Sequence, residues 1–118
     1  MSATSKIFKA LGDPVRLRLF YLLSKHDELC VCHLTEALKC PQSTVSRHLG
    51  VLRQAGLVAT RRDGKWMNYR LHGDMAEAFS AVLDRLADDE LHADAWHLAD
   101  ILKNLSASCA PEAQEKTN

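Results

Sequence analysis

The 118-residue chain predicts a mainly α fold interrupted by one small β-hairpin. Apolar residues recur at helical spacing through most of the chain, and Asp63-Gly64 lies between two short β-prone runs. Pro14, Pro41 and Gly56 punctuate the pattern where helices start or stop. With 47% hydrophobic residues the chain has a modest core, expected as one domain over 1–105 completed by a partner subunit. A flexible tail over 106–118 is expected to follow, because that stretch lacks apolar periodicity and contains Pro111.

Asp13-Pro14 supplies a helix cap and a first-turn proline, and Val15, Leu19, Leu22 and Leu23 then follow at helical spacing to about Lys25. Val31, Leu34 and Leu38 line a short third helix, which Lys39-Cys40 breaks before Pro41 opens a fourth. In that fourth helix Val45, Leu49 and Leu52 form the inward stripe, and Gly56 caps its end. Short helix, turn, longer helix is the helix-turn-helix pattern. Strands over Val58 to Arg62 and Trp66 to Leu71 flank the expected Asp63-Gly64 turn, with Trp66 and Tyr69 packed on the helices. Two more helices follow, Asp74 to about Ala87 and Leu91 to about Leu105, and their stripes (Met75, Phe79, Val82, Leu86; Ala95, Leu98, Ile101, Leu102) suit dimer packing.

The zero net charge hides an asymmetry. Residues 39–70 carry seven Lys/Arg against Asp63 alone, whereas from 71 onward three basic residues face ten acidic ones. A compact basic segment on a separate scaffold is the distribution of a DNA-contacting element, not of a uniformly solvated surface. The outward face of the fourth helix agrees. Opposite the apolar stripe lie Ser43, Ser46, Arg47, Gly50 and Gln54, with Gln42, Thr44 and His48 on the flanks, and no acidic residue occurs from Cys40 to Thr60. Small donors and acceptors beside an arginine suit base edges and phosphates of double-stranded DNA. Arg61, Arg62 and Lys65 ring the hairpin tip, so the hairpin reads as a wing reaching backbone phosphate.

Cys30 and Cys32 stand at the entrance of this helix-turn-helix. Thiolates select thiophilic metals and trivalent metalloids, although two buried cysteines can equally serve as small hydrophobes. In a regular helix residues two positions apart project about 200° from each other. Both thiols therefore grip one ion only if they sit in an irregular turn before the helix, or if binding unwinds its first turn. No secretory leader or membrane span is evident, so a cytoplasmic location is expected, in which Cys30, Cys32, Cys40 and Cys109 stay reduced. His33 and His72 lack partners at ligand spacing. Glu90, Asp94 and His97, with His92 nearby, are either a weak zinc site or, more simply, a charged helix face. No nucleophile, acid/base and oxyanion constellation suggests an enzyme.

The run ELCVCHLTEALKCPQSTVSRHLGVLRQAGLVATRRDGKWMNYRL from Glu28 to Leu71, with KALGDPVRLRLFYLL upstream, resembles the ArsR/SmtB family of metal-responsive winged-helix repressors, and within it the arsenical-responsive branch. The resemblance implies a homodimer, joined through its first and C-terminal helices, that binds an inverted-repeat operator without a resident cofactor and leaves it when a metal or metalloid binds. The family's third-helix thiols match Cys30 and Cys32, but a third cysteine is replaced by Thr35. The third sulfur for trivalent arsenic or antimony then falls to Cys40, to Cys109 or to a molecule outside the protein, whereas a methylated arsenical needs only two. Cadmium and lead sensors complete the pair from an N-terminal arm, and residues 1–29 hold no cysteine. At the family's second site the matching positions are Gly73, Met75, Leu86 and Asp89, so that site looks absent. The alternatives are a cadmium- or lead-responsive repressor and a thiol-redox sensor pairing Cys30 or Cys32 with Cys40 or Cys109.

Overall fold

The computed structural model describes residues 2–105, so the expected tail and Cys109 lie outside the described residues. Six helices and three strands follow in the order α1 (Ala3–Leu11), α2 (Pro14–Ser24), β1 (Leu29–Cys30), α3 (Val31–Leu38), α4 (Gln42–Gln54), β2 (Val58–Asp63), β3 (Trp66–Leu71), α5 (Gly73–Leu86) and α6 (Asp89–Leu105).

Helix α2 starts where its cap dictates. The Asp13 carboxylate accepts from the N–H groups of Val15 (2.9 Å) and Arg16 (3.1 Å), and Pro14 lacks the N–H that would otherwise be orphaned. Its second half, Leu19 to Leu23, is buried on every side because α1, α3, α4, α5, α6 and β3 all pack on α2. Val45, Leu49 and Leu52 of α4 and Leu34 of α3 complete this core, each fully buried.

The turn between α3 and α4 is closed by backbone geometry. Lys39 takes the left-handed conformation (φ 56°, ψ 40°), its N–H donates to the Glu36 carbonyl, and the Cys40 N–H donates to that of Thr35. At the end of α4 the same pair of bonds recurs around Gly56 at φ 80°: Gly56 N–H to Arg53 and Leu57 N–H to Leu52. Gly56 thus follows the capping residue Ala55 and meets its expected role as the left-handed terminator.

The sheet departs from expectation twice. It has three strands in the order β1-β3-β2, because Leu29 and Cys30 pair antiparallel with Tyr69 and Asn68. In the hairpin, Asp63 pairs with Trp66, so the two-residue loop is Gly64-Lys65 and not Asp63-Gly64. Gly64, at φ 64°, occupies the first central position, where a type II′ turn needs glycine. The aromatic expectation holds, since Trp66 and Tyr69 are half-buried against the core.

Helix α6 lies on α2 and α3. Asp94 there is buried and accepts from the Arg18 guanidinium twice, at 2.8 and 3.0 Å. That pairing corrects the reading of Glu90, Asp94 and His97 as an exposed charged face: Glu90 and His97 are exposed, but Asp94 is buried and committed to α2. On the opposite side, Phe8 of α1 meets Phe79 of α5 edge to face at 5.3 Å. Phe8, Met75, Val82 and Leu86 there are all more than half exposed, leaving the α5 stripe expected at a dimer interface open in the single chain, whereas the α6 stripe expected there packs on the chain's own core through Leu98. Among the described residues no helix is long and apolar enough to cross a membrane.

Candidate thiol site and nucleic-acid interface

Cys30 is both the last residue of β1 and the N-cap of α3, with extended backbone (φ −73°, ψ 145°), while Cys32 lies in the first helical turn. The helical 200° separation therefore never applies. The Cys30 Sγ accepts from the Cys32 N–H at 3.3 Å and from the Cys32 thiol at 2.8 Å, so both sulfurs face one side with α3 intact. Neither route left open by the sequence is the one observed: Cys30 stands outside the helix as its cap and Cys32 inside it, and no unwinding is needed to bring the thiols together.

Sulfur is an unusual helix cap, and the position has a chemical consequence. The Cys30 thiol is lowered from 9.0 to about 7, first by the hydrogen bond from Cys32 and then by the N–H groups of Cys32 and His33, against the opposing effect of burial. A nucleophilic thiolate is thus accessible near neutral pH. The pair opens into a cleft of about 190 Å³ walled by Glu28 and His33 on one side and by Arg61, Asp63, Trp66 and Asn68 of the hairpin on the other. Both ring nitrogens of His33 are buried without a hydrogen-bond partner, and burial holds its pKa below the ordinary value. Sequence spacing gave no reason to place His33 at this cleft; only the pairing of β1 with β3 brings the hairpin over it.

Cys40 is not brought to the pair. At roughly 1.5 Å of rise per residue α3 spans about 12 Å, and Cys40 lies past its far end, its thiol donating to the Leu38 carbonyl at 3.5 Å. Within one chain it cannot reach the sulfurs of Cys30 and Cys32 while α3 persists. Thr35 donates its hydroxyl to the Val31 carbonyl and offers no soft donor.

On α4, Gln42, Ser43 and Arg47 are exposed and Thr44 and Ser46 half-buried, all at the beginning of the helix. His48 is the exception. Expected on the flank of the outward face, it is buried at 7% exposure, with Nδ1 3.1 Å from an Arg16 guanidinium nitrogen and 3.8 Å from the Asp13 carboxylate. The ring adjoins the inward stripe of Val45, Leu49 and Leu52, and its partner is 32 residues away in sequence, so a helical wheel alone misplaces it. In the hairpin, Arg62 and Lys65 are exposed, with the Lys65 ammonium 5.7 Å from the Trp66 ring centre. Arg61 instead turns back to Glu28, its guanidinium 2.6 Å from the carboxylate, which in turn holds the Glu28 carboxyl below its ordinary pKa.

The description "Bacterial regulatory protein, arsR family" matches residues 13–60, the segment from the α2 cap through the start of β2. The arsenic resistance transcriptional regulator ArsR1 of Pseudomonas putida is 42% identical over 98 residues, which cover 80% of this chain and 77% of that one. The chain belongs to the arsR family. As a family member it is a transcriptional regulator and not an enzyme. The arsenical resistance operon repressor of Escherichia coli is 43% identical over 79 residues, 67% of this chain and 68% of the repressor. Among solved structures, a homodimeric winged helix-turn-helix DNA-binding domain from Mycobacterium bovis superposes with a TM-score of 0.66 at 30% identity, covering 75% of this chain and 82% of that domain. The winged helix-turn-helix expectation is met, with β1 added to the hairpin as a third strand.

Proposed function

We propose that this family member is a metalloid-responsive transcriptional repressor that holds operator DNA as a homodimer in the cytoplasm and releases it when trivalent arsenic, antimony or a methylated arsenical takes the thiols of Cys30 and Cys32. The observation that carries the reading is the convergence of the two sulfurs, 2.8 Å apart, at the start of the helix that leads into α4. The names of the relatives from P. putida and E. coli support an arsenical inducer, the homodimeric M. bovis domain supports assembly as a dimer, and the open apolar face of α1 and α5 is the surface we assign to it.

In this reading Gln42, Ser43, Thr44, Ser46 and Arg47 meet base edges and phosphates in the major groove, while Arg62 and Lys65 meet backbone phosphate. Arg61, paired with Glu28, ties the wing to the thiol cleft. Each arsenic–sulfur bond forms as a thiol sulfur displaces a hydroxide from arsenous acid, the thiol proton leaving with it as water. A methylated arsenical has two such positions and is satisfied by the pair. Inorganic arsenite has three, and the third sulfur comes from Cys109 or a small thiol.

The test is release of a duplex, selected from a random pool by the protein, titrated in parallel with arsenite, antimonite, methylated arsenite, cadmium, lead, zinc and hydrogen peroxide. Release at the lowest concentrations by the arsenicals or antimonite is expected. Release by cadmium or lead alone would favour a divalent-metal sensor, and release by peroxide alone a redox sensor.

A further inference from the structure

One side chain binds three helices together behind the DNA-facing surface. The Arg16 guanidinium of α2 donates from Nε to the Ala10 carbonyl at 2.7 Å and from Nη2 to the Lys9 carbonyl at 3.3 Å, capping the C-terminal end of α1. Its remaining nitrogen, Nη1, lies 3.1 Å from Nδ1 of His48 in α4. Arginine only donates, so Nδ1 is the acceptor and the neutral ring carries its proton on Nε2. Asp13, which caps α2, stands 3.8 Å from the same nitrogen and completes the junction.

We infer that His48 is a positioning residue for DNA recognition: buried behind α4, it fixes the recognition helix to the end of α1 through Arg16 and touches no DNA itself. The inference rests on the proposed reading of α4 as the DNA-facing helix. Its geometry explains a division of labour between neighbours in sequence, since Arg47 is exposed where His48 is buried. In a dimer joined through α1 and α5, the tilt of α4 relative to α1 sets how far apart two copies of α4 stand, and a palindromic operator demands about one helical turn between half-sites. Discrimination of sequence and spacing therefore depends on a residue outside the contact surface. Losing the acceptor also leaves a part-buried Arg16 donor unpaired at the junction.

The test compares full-length wild type with His48→Asn, whose side-chain oxygen stands near the position of Nδ1, and His48→Leu, which keeps bulk without an acceptor. The probes are the duplex selected by wild type, the same duplex with one base pair added between half-sites, and a random-sequence duplex. His48→Leu should lose about tenfold on the selected duplex and bind the other two within about twofold of wild type, while His48→Asn restores selected-duplex affinity. Nitrogen NMR of wild type, which needs no variant to fold, should report an unprotonated Nδ1 before and after duplex is added. Unchanged selectivity in His48→Leu, failure of His48→Asn to restore it, or a ring that gains a proton on Nδ1 on binding would each overturn the inference. Wild type that prefers no duplex would overturn the DNA-binding reading and this inference together.

Discussion

The two ends of α3 are built by different means. At its start the exposed N–H groups are capped by the sulfur of Cys30, a weak acceptor that also serves as a nucleophile, beneath a cleft open to small molecules. At its end the Thr35 and Glu36 carbonyls are closed by backbone N–H groups, through left-handed Lys39, and α6 lies against the helix, pinned to α2 by the Arg18–Asp94 pair. One end is chemically exchangeable and the other mechanically fixed. In the proposed function, a ligand taken at the first end would act on a short helix whose far end leads into α4.

Removing the exchangeable end should have the largest effect. Cys30→Ser keeps a strong helix cap, since a hydroxyl oxygen replaces sulfur at the N-cap, so the variant should fold and bind DNA as wild type does in the absence of ligand. It should nonetheless lose release by arsenite altogether, as should Cys32→Ser, in a fluorescence-anisotropy titration on duplex DNA. Persistence of release by every metalloid in the double serine variant would place sensing elsewhere.

Loosening the fixed end comes next. Asp94→Ala leaves Arg18 facing only Glu90, 3.9 Å away and largely exposed, in place of a buried carboxylate. A loss of about 3 kcal/mol in urea unfolding is expected, because a part-buried guanidinium is left without its main partner. A loss below about 1 kcal/mol would mean that α6 is held by its apolar contacts alone.

A smaller effect separates the two ends by pH. With Cys30 lowered to about 7, the thiolate fraction, and with it the rate of arsenite-driven release, should rise about tenfold from pH 6 to pH 8 and then level off. The sign for stability follows from the same depression. Stability contributed by the folded thiolate is complete above the ordinary thiol value of 9.0 and is lost as pH falls through about 7. Cys30→Ser should abolish this part of the pH dependence, measured as the urea midpoint between pH 6 and 9.5.

The smallest effect tests the fixed end directly. Lys39 holds a left-handed conformation that costs a non-glycine residue about 1 to 2 kcal/mol, while glycine adds up to about 1 kcal/mol of unfolded-chain freedom. Lys39→Gly should therefore stabilise the protein by about 0.5 kcal/mol, with release by arsenite unchanged. Destabilisation instead would mean that the lysine side chain contributes more than its backbone strain costs.

Much of this comparison was legible in the residues. Asp13-Pro14, Gly56 and the apolar spacings act locally, and local signals mark where helices begin and end. What stayed hidden depends on partners far away in the chain. A two-residue strand such as Leu29-Cys30 has no periodicity to detect, and it exists only because Tyr69 and Asn68 pair with it. His48 sits at the edge of an apolar stripe, where a wheel assigns it to either face, and Arg16 decides the matter. The hairpin register moved by one residue because Asp63 and Trp66 close the ladder, leaving glycine first in the loop. The thiols were found by their identity, but their convergence needed the extended backbone at Cys30.

The sulfur cap carries one more consequence. A Cys30 sulfur shared with an electrophile is a poorer acceptor for the N–H groups of Cys32 and His33, so occupancy of the cleft and integrity of the first turn of α3 oppose each other. Thermodynamic reciprocity then runs in both directions: whatever factor a bound metalloid takes from operator affinity, bound operator must take from metalloid affinity. Protein seated on its promoter would then be a less sensitive detector than protein free in solution, and raising the copy number of operator sites would shift the dose at which the cell responds.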